Sequence, residues 1–343
     1  MNRIDAPAAD WRHAYEEFLA QRTALPLLGW QTLVVRGSDA RQVLHNLCTN
    51  QVRSLAPGEG CEAFFTDVKG RTRAHGFLLV RADDVLALVE PGSAADLVSH
   101  LMRYVIREDA AAEEATPSST WFVAAGLAAV RQAFAAEVDL ASAARWQHLP
   151  LGDDQAAGVV VRSDLPFSGC CFAGLPSESP AALSAARRWE KAAAERALDA
   201  VRLEGRWPWW GVDYGPGNLP QEVGRDAEAI SFRKGCYLGQ ETVARLDALG
   251  HVNRRLALLR MEAQAAPPSA GSPVTLQESP PSGPDGPGAG ARAVGEITSA
   301  AWSPRENAPL GWAMLQAAVV ASGAKLRCGG AVAVVLPADA AAR

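Results

Sequence analysis

The sequence predicts an α+β body followed by a β-rich tail. Three observations carry that reading. Up to Gly250, segments with helical hydrophobic spacing alternate with short strand-like segments. Between Trp121 and Arg162 the order is strand, helix, strand, as in a ferredoxin-like α+β unit. After Gly250 the chain turns to strand-like runs around a Pro-, Gly- and Ser-rich stretch.

Taken in order, Trp11 to Thr23 reads as a helix, with Trp11, Ala14, Tyr15, Phe18 and Leu19 on one face. Trp30 to Arg36 reads as a strand, and Ser38 or Asp39 can cap a helix reaching Cys48. Val85 to Val89 is a strand and Ser93 to Tyr104 a helix. Strands near Trp121 to Ala125 and Gly158 to Arg162 enclose a helix at Leu127 to Ala136. Ala181 to Val201 reads as one long Ala-rich helix. Beyond Gly250, Val252 to Met261, Ala293 to Ala300, Leu310 to Leu315, Lys325 to Leu326 and Ala331 to Leu336 fit a small barrel. Ala265 to Gly290 has little to bury and is expected to be a mobile loop.

Composition narrows the function classes. A chain of 343 residues, 48% hydrophobic, suggests two or three domains. A net charge of −5 gives no global case for direct nucleic-acid binding. Six cysteines without C-x-x-C or zinc-like spacing fit free thiols in a reducing compartment. Residues Met1 to Leu25 lack the apolar core of a signal peptide, and no apolar run reaches membrane-spanning length. A soluble, cytoplasmic protein without a membrane partner is expected.

The densest chemistry lies in Lys234-Gly235-Cys236-Tyr237-Leu238-Gly239-Gln240-Glu241, with Arg245 close behind. A nearby cation favours the thiolate, the reactive form of cysteine. Gly235 is expected to free the backbone, and a helix from Gln240 to Ala248 would place its N-terminus beside the thiol. The residues alone leave open a buried structural cysteine in a tight turn.

This run resembles the K-G-C-[FY]-x-G-Q-[ED] signature of the YgfZ family, folate-binding relatives of the glycine-cleavage aminomethyltransferase (T-protein). Arg202-Leu203-Glu204-Gly205, Gly211-Val212-Asp213, Leu219-Pro220-Gln221-Glu222 and Asp67-Val68-Lys69-Gly70-Arg71 resemble further family segments in the same order. The resemblance runs from about Leu27 to Leu336. It implies a T-protein-like ring of three modules around a tetrahydrofolate, or another reduced folate. We place the modules at 1–104, an α/β folate-binding unit, 105–250, ferredoxin-like with the cysteine motif, and 251–343, a β barrel.

The resemblance makes Cys236 the key reactive thiol, with Lys234 tuning it, and Glu204 the pterin-contacting carboxylate. Trp207 and Trp209 are candidate stacking surfaces. Arg245, Gln240 and Asp67 are further cofactor-binding candidates, although Asp67 by itself reads as a turn cap. Arg71, Arg254 and Lys69 are possible partners for an anionic tail. Where the transferases carry an aspartate pair, this chain has Ala74 and His75. That departure counts against a working aminomethyltransferase. No resident metal is expected, because cluster ligation usually takes four closely spaced cysteines. The expected function is a folate-binding accessory protein for synthesis or repair of iron–sulfur enzymes, including tRNA-thiolating ones. Its partners would be those enzymes or their assembly proteins. The alternative is a folate-dependent one-carbon transferase or demethylase.

Overall fold

The computed structural model describes residues 8–115, 118–151, 158–250, 252–277 and 293–337. Two antiparallel sheets and a closed barrel make up three modules. The first sheet runs in the spatial order Gly60–Thr66, Thr72–Val80, Asp84–Val89, Gln31–Arg36, Ala111–Glu114. Its strands alternate cleanly between two cores. Leu78, Val80, Val85 and Ala87 face the helices Ala40–Leu47 and Ala94–Tyr104, through Val43, Leu44, Leu97 and Leu101. Phe77, Leu79, Leu86 and Leu88 point the other way, into a core shared with the second sheet. Burial on both faces explains why Thr32, Leu33, Val34 and Val35 are all buried.

The second sheet runs Ala24–Pro26, Ser119–Ala124, Cys171–Pro176, Val159–Arg162, His148–Pro150. The helix Leu127–Phe134 follows Ser119–Ala124 and Pro180–Arg187 follows the central strand Cys171–Pro176, covering one face. The other face carries Trp121, Val123 and Phe172 against the first sheet, the helix Ala8–Leu19 and the helix Lys191–Glu204. The ferredoxin-like arrangement of the sequence reading is thus present. Its edge strand, Ala24–Pro26, comes from the far N-terminal side of the chain.

The tail closes into a six-stranded barrel in the order Arg254–Met261, Ala308–Gln316, Ala293–Ser303, Pro273–Leu276, Leu326–Cys328, Ala331–Val335. Leu256, Leu258, Leu310 and Trp312 on its outer wall pack against Phe64, Tyr214, Ile230 and Tyr237. That contact fixes the barrel to the first sheet and to the cysteine motif.

Several element readings need correction. The single helix expected over 181–201 is two, broken between Arg187 and Lys191. Trp189 sits in the break, packs on the core and donates from Nε1 to Thr23 Oγ1 at 3.2 Å. Asp39 precedes the helix Ala40–Leu47 but makes no side-chain cap; its carboxylate accepts instead from Asp109 N at 2.8 Å. Leu19 is 43% exposed, off the buried face of its helix. Pro273–Leu276 is a barrel strand inside the stretch read as a mobile loop, whose residues 278–290 lie outside the described residues. Among the described residues no helix is long and apolar enough to cross a membrane.

Candidate functional site

The cysteine motif is a loop clamped from inside. Lys234 is buried, and its ammonium donates to the carbonyls of His45, Cys48 and Asn50, the last two at 2.7 and 2.8 Å. Those carbonyls belong to the end of the helix Ala40–Leu47 and the residues after it, where a cation is favoured. The ammonium also lies over the Tyr237 ring, 4.9 Å from its centre. Burial pushes the Lys234 pKa down from its usual range. Leu238 N donates to Asn46 O, and Thr66 Oγ1 donates to Leu238 O. Cys236 stands out of this clamp: all six cysteines are free thiols, and it alone is exposed. The Lys234 charge is therefore committed to carbonyls, where the sequence reading had it tuning the thiol.

The backbone freedom expected of Gly235 is needed at Gly239 instead. Gly235 has nothing within 4 Å of where a Cβ would sit, and its φ is not left-handed. Gly239 has φ +80°, and a Cβ there would lie 2.3 Å from Asp67 O. Gly239 caps the helix Gln240–Leu249 and seats it on the turn Asp67–Gly70. Asp67 holds that turn by accepting from Lys69 N at 2.8 Å and Arg71 N at 2.9 Å. Gln240 is half-buried at the start of the helix and Arg245 is exposed further along it. Lys69, Arg71 and Arg254 are exposed, with Arg71 Nη1 donating to Gly217 O and Arg254 beside Glu222 at 3.4 Å.

A cavity of about 1380 Å³ lies between the second module and the barrel, lined by residues of the segments 164–168, 223–228 and 255–258. Glu204 and Gly205 line it, with Leu165, Phe167, Leu258 and Trp312 among its apolar walls. Glu204 is half-buried and already engaged. Its Oε2 accepts from Tyr15 OH at 2.8 Å, and its Oε1 accepts from Ser303 Oγ at 2.5 Å and Arg305 N at 3.2 Å. Lys234, Cys236, Gln240, Arg245 and Asp67 are not among the residues lining this cavity. Nor is Trp207, which is fully buried between Trp30 and Phe172, so packing leaves it no face for a ligand ring. Trp209 lines a separate cavity of about 740 Å³, with the Arg202 guanidinium over its ring. Arg202 itself is buried in a pair with Asp213 at 2.8 Å. Asp213 in turn accepts from Thr298 and Ser299 of the barrel. The cofactor-binding candidates and the cysteine motif thus fall in four places: Glu204 in one cavity, Trp209 in another, Trp207 in the core and the motif on an outer loop.

Behind the cavity lies a buried ionic chain. Glu62 and His75, on adjacent strands of the first sheet, and Glu90, just past the strand Asp84–Val89, are fully buried. His75 Nε2 is 3.0 Å from Glu62 Oε1, and His75 Nδ1 is 3.6 Å from Glu90 Oε2. Arg225 forks onto Glu62 through Nε and Nη2, the latter at 2.7 Å, and Arg145 Nη2 stands 3.5 Å away. Burial would pull the His75 pKa down, but hydrogen bonds to Glu62 and Glu90 raise it to about 9. Burial would raise Glu62, yet Arg225 and His75 hold it well below the usual carboxylate range. Glu90 is pushed up, chiefly by burial. Among the described residues no group of three His, Cys, Asp or Glu is arranged to hold a metal ion.

No family model matches the chain. It is 28% identical over 256 residues to the tRNA-modifying protein YgfZ of Edwardsiella ictaluri, covering 71% of this chain and 73% of that one. Several further YgfZ proteins align with it. The resemblance to the YgfZ proteins holds over most of the chain. It is also 26% identical over 258 residues to a chloroplastic transferase-like protein of Arabidopsis thaliana, covering 71% of this chain but little more than half, 56%, of that relative. The glycine cleavage system aminomethyltransferase T of Bartonella henselae superposes with a TM-score of 0.75 at 15% identity, over 95% of this chain and 89% of that one. That likeness shows the three-module fold.

The sequence reading missed Glu62, Glu90, Arg145, Arg225, Tyr15 and Ser303 as site residues. The signal available was weak. Glu62 sits in the apolar run Cys61 to Phe65, and Glu90 ends Val85 to Val89. A charge inside such a run is an expensive burial and marks a partner elsewhere. Nothing in the spacing says that Arg225 is that partner.

Proposed function

We propose that this chain binds a reduced folate in the central cavity and supports the synthesis or repair of iron–sulfur enzymes, with Cys236 as its reactive thiol. The observation that carries this reading is the contrast among the six cysteines: five are buried, and the one in the family signature is exposed on a loop clamped by Lys234. A thiol that only filled space would be buried like the others. The folate part is supported by the fit of the cavity. It is roomy, largely apolar in its walls, and carries a carboxylate, Glu204, able to accept from the donor edge of a pterin. Tyr15, Phe167 and Trp312, rather than Trp207, are the aromatic walls available to a ring. The relatives' tRNA-modifying role suggests cluster-dependent tRNA-thiolating enzymes as clients. Cys236 lies outside the cavity lining, so the thiol acts on a partner at the surface.

A one-carbon transferase is the competing reading. It is disfavoured because Ala74 and His75 are fully buried, with His75 locked between two glutamates. The deciding experiment pairs calorimetry with complementation. Tetrahydrofolate should bind the wild type, and Cys236→Ala and Cys236→Ser should keep that affinity but fail to restore cluster-enzyme activity in a deletion strain. Full rescue by Cys236→Ala would sink the thiol role. Formation of methylenetetrahydrofolate from an aminomethyl donor at a transferase's rate would promote the competing reading.

A further inference from the structure

We propose that Arg145 and Arg225, tied together by the buried Glu62, form an oxyanion subsite on the inner wall of the central cavity. The group it takes is a carboxylate or a phosphate. Both arginines line the cavity, whereas Glu62 is fully buried and does not. The carboxylate therefore lies behind, and the guanidiniums in front.

Each guanidinium is fixed before any ligand arrives. Arg225 uses Nε and Nη2 on Glu62. Arg145 donates from Nε to Ser163 O at 3.0 Å, and its guanidinium lies over the Trp146 ring, 4.9 Å from the centre. A planar fork with five donors spends two on such a clamp and keeps others for a second acceptor. Nη1 of each arginine lies outside these contacts. Pre-fixed donors also lower the ordering cost of binding.

The charges behind the wall favour an incoming anion. His75, held protonated by its two glutamates, adds a third cation to Arg145 and Arg225. Even with Glu90 ionised, those three cations answer only Glu62 and Glu90. On the cavity side, Asp164 is taken by Arg162 at 2.7 Å and by Gly169 N at 2.6 Å. Asp226 faces Arg255, whose charge works against the burial that raises its pKa. Glu228 is the cavity acid that acts on both arginines, and the ligand oxyanion must displace its influence. A purely structural staple needs no guanidinium at a cavity surface. A ligand subsite does.

The oxyanion has two possible sources: a tail carboxylate of the reduced folate, which rests on the reading above, or a separate phosphate. Calorimetry on the full chain separates them, using tetrahydrofolate, 6-methyltetrahydropterin, which lacks the charged tail, and inorganic phosphate. Arg225→Gln strands Glu62 and costs stability, so the partly exposed Arg145→Gln decides, with a thermal melt to confirm folding. The expected result is a roughly tenfold or greater loss of tetrahydrofolate affinity with 6-methyltetrahydropterin unchanged. Loss of phosphate binding alone supports the subsite with a separate anion. If no pterin binds while phosphate does, and Arg145→Gln abolishes that, the folate reading fails and the subsite stands. Unchanged tetrahydrofolate and phosphate affinities in Arg145→Gln overturn the subsite and leave folate binding intact. No binding of any probe to the wild type overturns both.

Discussion

Lys234 Nζ donates to the backbone carbonyl of Cys48 at 2.7 Å, joining the cysteine motif to the end of a helix far away in sequence. Two more carbonyls converge on the same ammonium. Lys234→Met should therefore leave three acceptors without their charged donor. One charged hydrogen bond is worth roughly 1.5–3 kcal/mol, and the variant should lose at least that much stability. Lys234→Arg should not restore it, because a planar fork cannot replace a compact ammonium among three convergent oxygens. Urea unfolding monitored by tryptophan fluorescence gives the midpoints. A midpoint unchanged in Lys234→Met would mean that the clamp contributes nothing.

Timed alkylation read by mass spectrometry should label Cys236 before the other five cysteines. Burial raises the thiol pKa of Cys48, Cys61, Cys170, Cys171 and Cys328, and it also denies them contact with reagent. Equal labelling of Cys236 and Cys328 in the native protein would contradict the exposed loop.

Gly239→Ala and Gly235→Ala should behave oppositely. A non-glycine residue held at φ +80° costs about 1–3 kcal/mol, and the added methyl group also meets Asp67 O. Gly239→Ala should thus destabilise the protein and lift the motif helix from its turn. Gly235→Ala has open space and should be nearly neutral. Thermal melts on the two variants check this, and equal effects would refute the assignment of the strained position.

That pair of glycines shows what the sequence could and could not disclose. The motif, the helix after Gly239 and most barrel strands were legible, because periodicity and glycine punctuation are local signals. Which glycine was constrained depended on the Asp67 turn, a contact across the chain. The same limit hid the commitment of Lys234 to carbonyls and the burial of Trp207 between Trp30 and Phe172. The strands Gly60–Thr66 and Thr72–Val80 were missed, although their turn was recognised. Buried Glu62, Thr66, Thr72 and His75 interrupt the alternation that would have marked them.

Stability should fall with alkaline pH through His75. Its folded pKa is raised to about 9 from an ordinary 6.5, so its contribution is complete below about pH 6.5 and is lost as pH climbs through 9. The span corresponds to on the order of 3 kcal/mol. Glu62 works at the other end: held below its ordinary range, it contributes above about pH 4.5 and fails on acidification. Urea titrations at pH 6, 7.5 and 9 should show the alkaline loss in the wild type and a shallower one in His75→Gln. Parallel slopes in the two proteins would rule out His75 as the source.

The strand Ala24–Pro26 has a consequence for how the molecule is made. Its partner, Ala124 opposite Ala24, emerges from the ribosome a hundred residues later, a wait of about 5–20 s at ordinary synthesis rates. Until then Leu25, fully buried in the finished protein, has no sheet to join. The first sheet can form meanwhile, but the second must reach back for an edge that left the tunnel long before. A polypeptide severed near residue 104 would strip Ser119–Ala124 of that neighbour and leave its backbone free to zip onto a stranger.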